Sequence, residues 1–251
     1  MGNKFHESNF DESKRMYILC DIDDVIVFQA PKLCQMLYEE YKDDPIVNKY
    51  FVLDPLMLNP EVVMARGEFH LNKWLVNPDI PKESVPKEID ALPLDMLNSC
   101  RFYDDLEPND MGNALIGMCQ TNRVAKIYFI TKNDKDCPMW ESKKDFMENY
   151  FNFGDKSELI RVPVDCKKSD YVNKYVKDKD KINVIFDDQA GNVFDILENS
   201  LKDNKEVVVM HPDVGYGLRR AMLEGDLTIE QLEEYDRNNR EIRVYGLTDF
   251  N

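Results

Sequence analysis

Tyr17-Ile18-Leu19-Cys20-Asp21-Ile22-Asp23-Asp24-Val25 is a short apolar run that delivers two acidic residues, Asp21 and Asp23, at its C-terminal end. In an open α/β sheet, ligands bind beyond the C-terminal ends of the strands. Two carboxylates placed there can do acid–base work or hold a metal ion. An acidic turn after a buried strand is the competing reading. Its weight falls because later segments repeat the arrangement with complementary chemistry.

Besides residues 18–20, four β-branched or aromatic runs read as buried strands: 126–130, 159–162, 182–186 and 207–210. Met111, Leu115, Met118 and Cys119 share one helical face before the first of these. Trp140, Phe146, Met147, Tyr150 and Phe151 do the same before the second, and Val193, Ile196, Leu197 and Leu201 before the last. This alternation predicts an α/β fold, a parallel sheet with helices on both faces. Thr228-Ile229-Glu230-Gln231 fits a capping box, and 242–245 reads as a last strand.

The rhythm breaks between Phe28 and Tyr103. Pro31 suits a helix start, with Leu33, Leu37 and Tyr41 following at helical spacing. Beyond them lie many prolines and few strand-like runs. The expected organisation is an N-terminal extension over 1–16, an α/β core from 17–29 and 104–251, and a mostly helical insert over 30–103.

The chain has 251 residues, 43 % of them hydrophobic and 32 % charged, which describes a globular protein with ample core. No apolar run approaches the length of a bilayer span, and the start lacks a signal-peptide core. A cytoplasmic protein without a membrane partner is expected. Six scattered cysteines without metal-binding spacing read as buried thiols in a reducing compartment. The net charge of −16 speaks against a long nucleic-acid partner. A small anionic substrate stays open where a metal and local cations offset the field. A homodimer is compatible with the sequence.

Four elements fall at or just beyond the C-terminal ends of the expected strands. They are Asp21-Ile22-Asp23, the hydroxyl of Thr131, Lys167-Lys168 before a helix around 171–175, and Asp187-Asp188. Phosphoryl transfer to a carboxylate needs a nucleophilic Asp and a second carboxyl that protonates the leaving oxygen and later activates water. It also needs a hydroxyl and an ammonium for the phosphoryl oxygens, and further acids for Mg²⁺. One candidate for each stands here, in an order compatible with successive strands.

Asp21-Ile22-Asp23, Thr131, Lys168 and Asp187-Asp188 together resemble the four motifs of the haloacid dehalogenase (HAD) superfamily. Asp21-Ile22-Asp23-Asp24-Val25-Ile26, Arg101-Phe102-Tyr103-Asp104-Asp105-Leu106-Glu107-Pro108 and Ile127-Tyr128-Phe129-Ile130-Thr131 are similar to segments of the 5′(3′)-deoxyribonucleotidases. The likeness spans roughly residues 17–210. It implies a Rossmann-like core with a cap inserted after the first strand, closing over a nucleoside monophosphate. By that resemblance Asp21 is the nucleophile and Asp23 the general acid/base. Thr131 and Lys168 grip the phosphate. Asp21, the Asp23 carbonyl and Asp187 hold Mg²⁺, with Asp188 beside the metal waters.

The departures carry information too. Lys132 stands where the family usually has Ser; it either adds a phosphate contact or is a solvated loop lysine. Lys167 competes with Lys168, which better matches the entry to the family's next helix. Phe28, Phe69 and Trp74 are candidates for stacking on a base, with cap core as the alternative. His70 and His211 read as structural or exposed. Two further readings remain: a phosphatase for another small phosphoester (a sugar phosphate or a nucleic-acid 3′-phosphate), and a non-catalytic nucleotide binder on the same scaffold.

Overall fold

The computed structural model describes residues 15–65, 75–99, 101–134, 136–204, 206–212, 228, 230–231 and 241–245. Six parallel strands form one sheet: β1 (Met16–Cys20), β2 (Val124–Lys132), β3 (Ser157–Val162), β4 (Val184–Phe186), β5 (Val208–Pro212) and β6 (Glu241–Tyr245). Their spatial order is β3-β2-β1-β4-β5-β6, so β1 lies between β2 and β4. The expected strands are all present, and the last one pairs with β5.

Nine α-helices accompany the sheet among the described residues. Five lie between β1 and residue 98: α1 (Gln29–Tyr41), α2 (Val47–Tyr50), α3 (Pro60–Ala65), α4 (Lys87–Asp90) and α5 (Leu92–Leu97). The others are α6 (Asp110–Gln120), α7 (Met139–Phe151), α8 (Lys168–Tyr175) and α9 (Ala190–Asn199). None is long and apolar enough to cross a membrane. Near the C-terminus the capping box closes: the Thr228 N–H donates to Gln231 Oε1 at 2.9 Å, and the Gln231 N–H to Thr228 Oγ1 at 3.2 Å.

Successive strand side chains point to opposite faces, and two cores result. Ile18, Cys20, Ile127 and Phe129 join one with α1 to α7. Leu19, Tyr128, Ile130 and Ile185 join the other with α8 and α9. Because both faces of β1 are covered, Ile18, Leu19 and Cys20 form an unbroken apolar run rather than an alternating one.

Helix α7 departs from its expected face. Trp140 is only half-buried, with the Arg161 guanidinium 4.8 Å from its ring centroid, and Tyr150 is exposed. Met139, Ser142, Lys143, Phe146, Met147 and Phe151 are the buried residues. The apolar pattern misread this helix because two of its core positions are polar. On α6, Met111, Leu115 and Cys119 are buried as expected, whereas Met118 is half-buried.

Helix α6 also fixes the turn that follows β1. Its N-cap Asn109 accepts from the Gly112 N–H, donates through Nδ2 to the Val25 carbonyl and through its backbone N–H to the Ile26 carbonyl, each at 2.9 Å. A Cβ on Gly112 would stand 2.7 Å from that Ile26 oxygen and 2.8 Å from Pro108 Cβ. Gly112→Ala should therefore push the β1 turn away and cost about 1–3 kcal/mol, the range for overpacking. Urea denaturation checks this; a variant as stable as the parent would show that the turn yields freely.

Candidate active site

In-phase pairing assembles the site. Cys20 pairs with Phe129 on one side and Phe186 on the other, so the next residues, Asp21 and Asp187, leave adjacent strands side by side. The Asp21 N–H still donates to the Phe186 carbonyl at 2.8 Å. After Asp21 the chain turns sharply. Asp24 takes a φ of 56°, a left-handed conformation that Asp tolerates better than most residues. Its Oδ1 accepts from the Gln29 N–H at 2.8 Å, fastening the first residue of α1 to the turn.

Two buried lysines divide the acidic groups. Lys168, the first residue of α8, places Nζ 2.8 Å from both Asp21 Oδ2 and Asp187 Oδ2. Lys167 is largely exposed and faces Asp195 at 3.6 Å. Lys143 is fully buried, with Nζ 2.6 Å from Asp23 Oδ2 and 3.2 Å from Thr131 Oγ1. Thr131 Oγ1 itself donates to Asp23 Oδ2 at 3.1 Å. The Tyr103 hydroxyl and the Gln29 amide, the latter at 2.8 Å, both donate to Asp23 Oδ1. Asp23 thus faces donors on both oxygens, while Asp21 faces Lys168 and, through Oδ1, the Ile22 N–H at 2.8 Å.

Ligand oxygens of Asp21, Asp187 and Asp188 lie within 4.8 Å of one another, all three residues being buried. Asp187 Oδ1 is oriented by the Gln189 N–H at 2.9 Å and the Asn192 amide at 3.4 Å. This concentration of charge has consequences. Burial, with Asp187 and Asp23 nearby, pushes Asp21 up to about 7 in spite of Lys168. Burial, then Asp187 and Asp21, hold Asp188 well above the usual carboxylate range. Burial works against the charge on Lys168, but Asp187 and Asp21 more than offset it and hold it above its ordinary value. Three hard oxygen donors with one ammonium between them fit a divalent cation such as Mg²⁺ or Ca²⁺.

The cluster floors a cavity of about 800 Å³. Asp21, Asp23, Asp24, Lys132, Lys168 and Asp188 line its polar side, and Leu94, Leu97, Met139 and Val164 its apolar side. Thr131 has no exposed surface and lies beneath Asp23 rather than on the wall. Phe28 stands half-buried at the start of α1, off the cavity lining. Phe69, Trp74 and His70 lie outside the described residues. His211 is fully buried at the end of β5.

Sequence reading did not single out Lys143, Tyr103 or Gln29 as site residues. Lys143 did leave a signal, since it lies four residues after Met139 and three before Phe146, in phase with the apolar face of α7. A charge at such a position needs a buried partner.

No family model matches the chain, and no curated protein matches it. Two solved structures are similar in part. One is a haloacid dehalogenase-like family hydrolase from Xanthomonas campestris, with 11 % identity and a TM-score of 0.42, covering 79 % of this chain and 83 % of that one. The other is the HAD-hydrolase YfnB from Bacillus subtilis bound to magnesium, with 15 % identity and a TM-score of 0.39, covering 85 % of this chain and all of that one. The solved structures that the chain is similar to here are therefore haloacid dehalogenase-like hydrolases.

Proposed function

We propose that the chain is a Mg²⁺-dependent phosphomonoester hydrolase of the haloacid dehalogenase type, acting on a nucleoside monophosphate and preferring deoxynucleotides. The observation that carries this reading is Asp21. It sits buried at the C-terminal end of the central strand, paired with Lys168 and opening onto a cavity much larger than a phosphate. The motif resemblance supplies the substrate class, and the 30–103 insert serves as its cap.

In the first step an Asp21 oxygen attacks phosphorus. The ester P–O bond breaks, and the leaving oxygen keeps the electron pair and takes a proton from Asp23. In the second, the Asp23 carboxylate takes a proton from water as the water oxygen attacks phosphorus, and the P–O bond to Asp21 breaks. Lys168, with Lys132 at the cavity wall, offers charge to the phosphoryl oxygens. Thr131 and Lys143 hold Asp23 from below. Bound at Asp21, Asp187 and Asp188, Mg²⁺ would neutralise charge on the phosphoryl group and on the acids.

A pH-dependent response to metal is expected. Asp21 and Asp188 hold protons in the folded state that the unfolded chain has released. Their raised values therefore add stability below the ordinary carboxylate range, and this is lost as pH rises, for Asp21 through about 7 and for Asp188 well above the ordinary carboxylate range. In EDTA the melting temperature should fall between pH 5 and pH 8. Mg²⁺ should raise it more at pH 8, where the acids ionise most readily. An equal Mg²⁺ effect at both pH values would separate metal binding from these carboxylates.

The direct test is phosphate release from a panel of deoxy- and ribonucleoside 5′- and 3′-monophosphates and sugar phosphates, with Mg²⁺ and with EDTA. Metal-dependent release that favours deoxynucleotides supports the reading. Release from sugar phosphates alone would retain the chemistry and replace the substrate. Tight nucleotide binding without release would make the chain a binding protein.

A further inference from the structure

We propose that Tyr103 is a positioning residue for phosphoryl transfer, aiming Asp23 at the leaving oxygen together with Gln29. The inference rests on the reading of Asp23 as general acid/base. Gln29 is the first residue of α1, and Tyr103 lies between α5 and α6. Residues 74 positions apart, on either side of the helices α1 to α5, thus meet at one oxygen, Asp23 Oδ1. Gln29 Nε2 also donates to the Tyr103 hydroxyl at 2.9 Å, closing a three-membered network.

Tyr103 is well fixed for this work. It is 2 % exposed, with its ring 5.6 Å from Phe102 and 5.5 Å from Phe146. Burial, then Asp23, raise it well above the ordinary tyrosine value, so the phenol keeps its proton. A phenol can donate to a carboxylate and accept from a carboxylic acid. Lys143 and Thr131 occupy the other oxygen, Oδ2, and Lys143 there can only donate. Held from both oxygens, the Asp23 carboxyl has its plane and direction fixed, with Tyr103 and Gln29 setting the Oδ1 side.

The experiment compares leaving groups in the full chain with Mg²⁺. p-Nitrophenyl phosphate has a leaving group that needs little protonation, whereas the alkyl phosphoester released fastest in the panel needs it fully. Tyr103→Phe should lower kcat/KM, which reports the steps through departure of the leaving group, by about ten- to hundredfold for the alkyl ester, part of the usual contribution of a general acid. For the aryl ester the loss in kcat/KM should be under about threefold. Gln29→Met should show the same selectivity at smaller amplitude, and serves if Tyr103→Phe does not fold. Equal losses on both esters, or none, would overturn the role of Tyr103 while leaving the phosphatase reading intact. A parent protein that releases phosphate from neither ester would overturn both.

Discussion

Asp21→Asn is expected to lower phosphate release by at least about 10⁴-fold, the scale on which loss of a catalytic nucleophile is felt. An amide nitrogen has no nucleophilic lone pair to offer phosphorus, and the remaining amide oxygen is far weaker than a carboxylate. The fold should tolerate the change. Asn matches Asp in shape, and its carbonyl can still accept the Ile22 N–H that Asp21 Oδ1 now accepts at 2.8 Å. Lys168 keeps Asp187 at 2.8 Å as a partner. Burial, with Asp187 and Asp23, disfavours a charge on Asp21, so a neutral side chain regains part of what it loses with the attraction of Lys168. Because the Asn amide nitrogen then faces the Lys168 ammonium, urea denaturation should show a cooperative transition with a loss of about 1–3 kcal/mol, the scale of a hydrogen bond to a charged group. Full activity in a folded Asp21→Asn protein would remove Asp21 as nucleophile.

The sheet was legible because parallel strands buried on both faces leave apolar runs too dense to miss, as at 18–20 and 126–130. The acidic cluster was legible for a related reason. In-phase parallel pairing brings the residues just past such runs together, so Asp21 and Asp187 could be placed side by side without coordinates. The partners of Asp23 were not. Tyr103 is 80 positions away from it and Lys143 120 positions away, and neither distance leaves a local pattern. Lys143 was hidden further by its helix, since an apolar count skips the charged residue that the core encloses. The lysine pair at 167–168 could be ranked only by resemblance. What separates the two physically is the helix boundary: Lys167 is the extended residue before α8 and stays in solvent, whereas Lys168 opens the helix and turns into the site.

Lys168→Met should damage both stability and catalysis, whereas Lys167→Ala should do neither. The Lys168 ammonium stands between Asp21 and Asp187, and removing one partner of a buried pair leaves uncompensated charge at a cost of about 3–5 kcal/mol. The protein can limit that cost by taking up protons. Lys168 sits above its ordinary value, so its own contribution is constant from acid to neutral pH and would fade only in strong alkali. The pH dependence comes instead from Asp21 and Asp188, whose raised values climb further once the cation is gone. The deficit of Lys168→Met should accordingly be small near pH 5 and approach its full size near pH 8. Mg²⁺ should restore part of the stability by replacing the missing positive charge. It should not restore turnover, which falls by about 10²–10³-fold with the loss of a donor to the phosphoryl oxygens. Lys167 meets Asp195 at 3.6 Å in solvent, a pairing whose removal changes stability by under about 1 kcal/mol. Denaturation curves at both pH values, with turnover in Mg²⁺, decide the matter. Matching small effects from the two substitutions would mean that the acidic cluster does not depend on its buried ammonium.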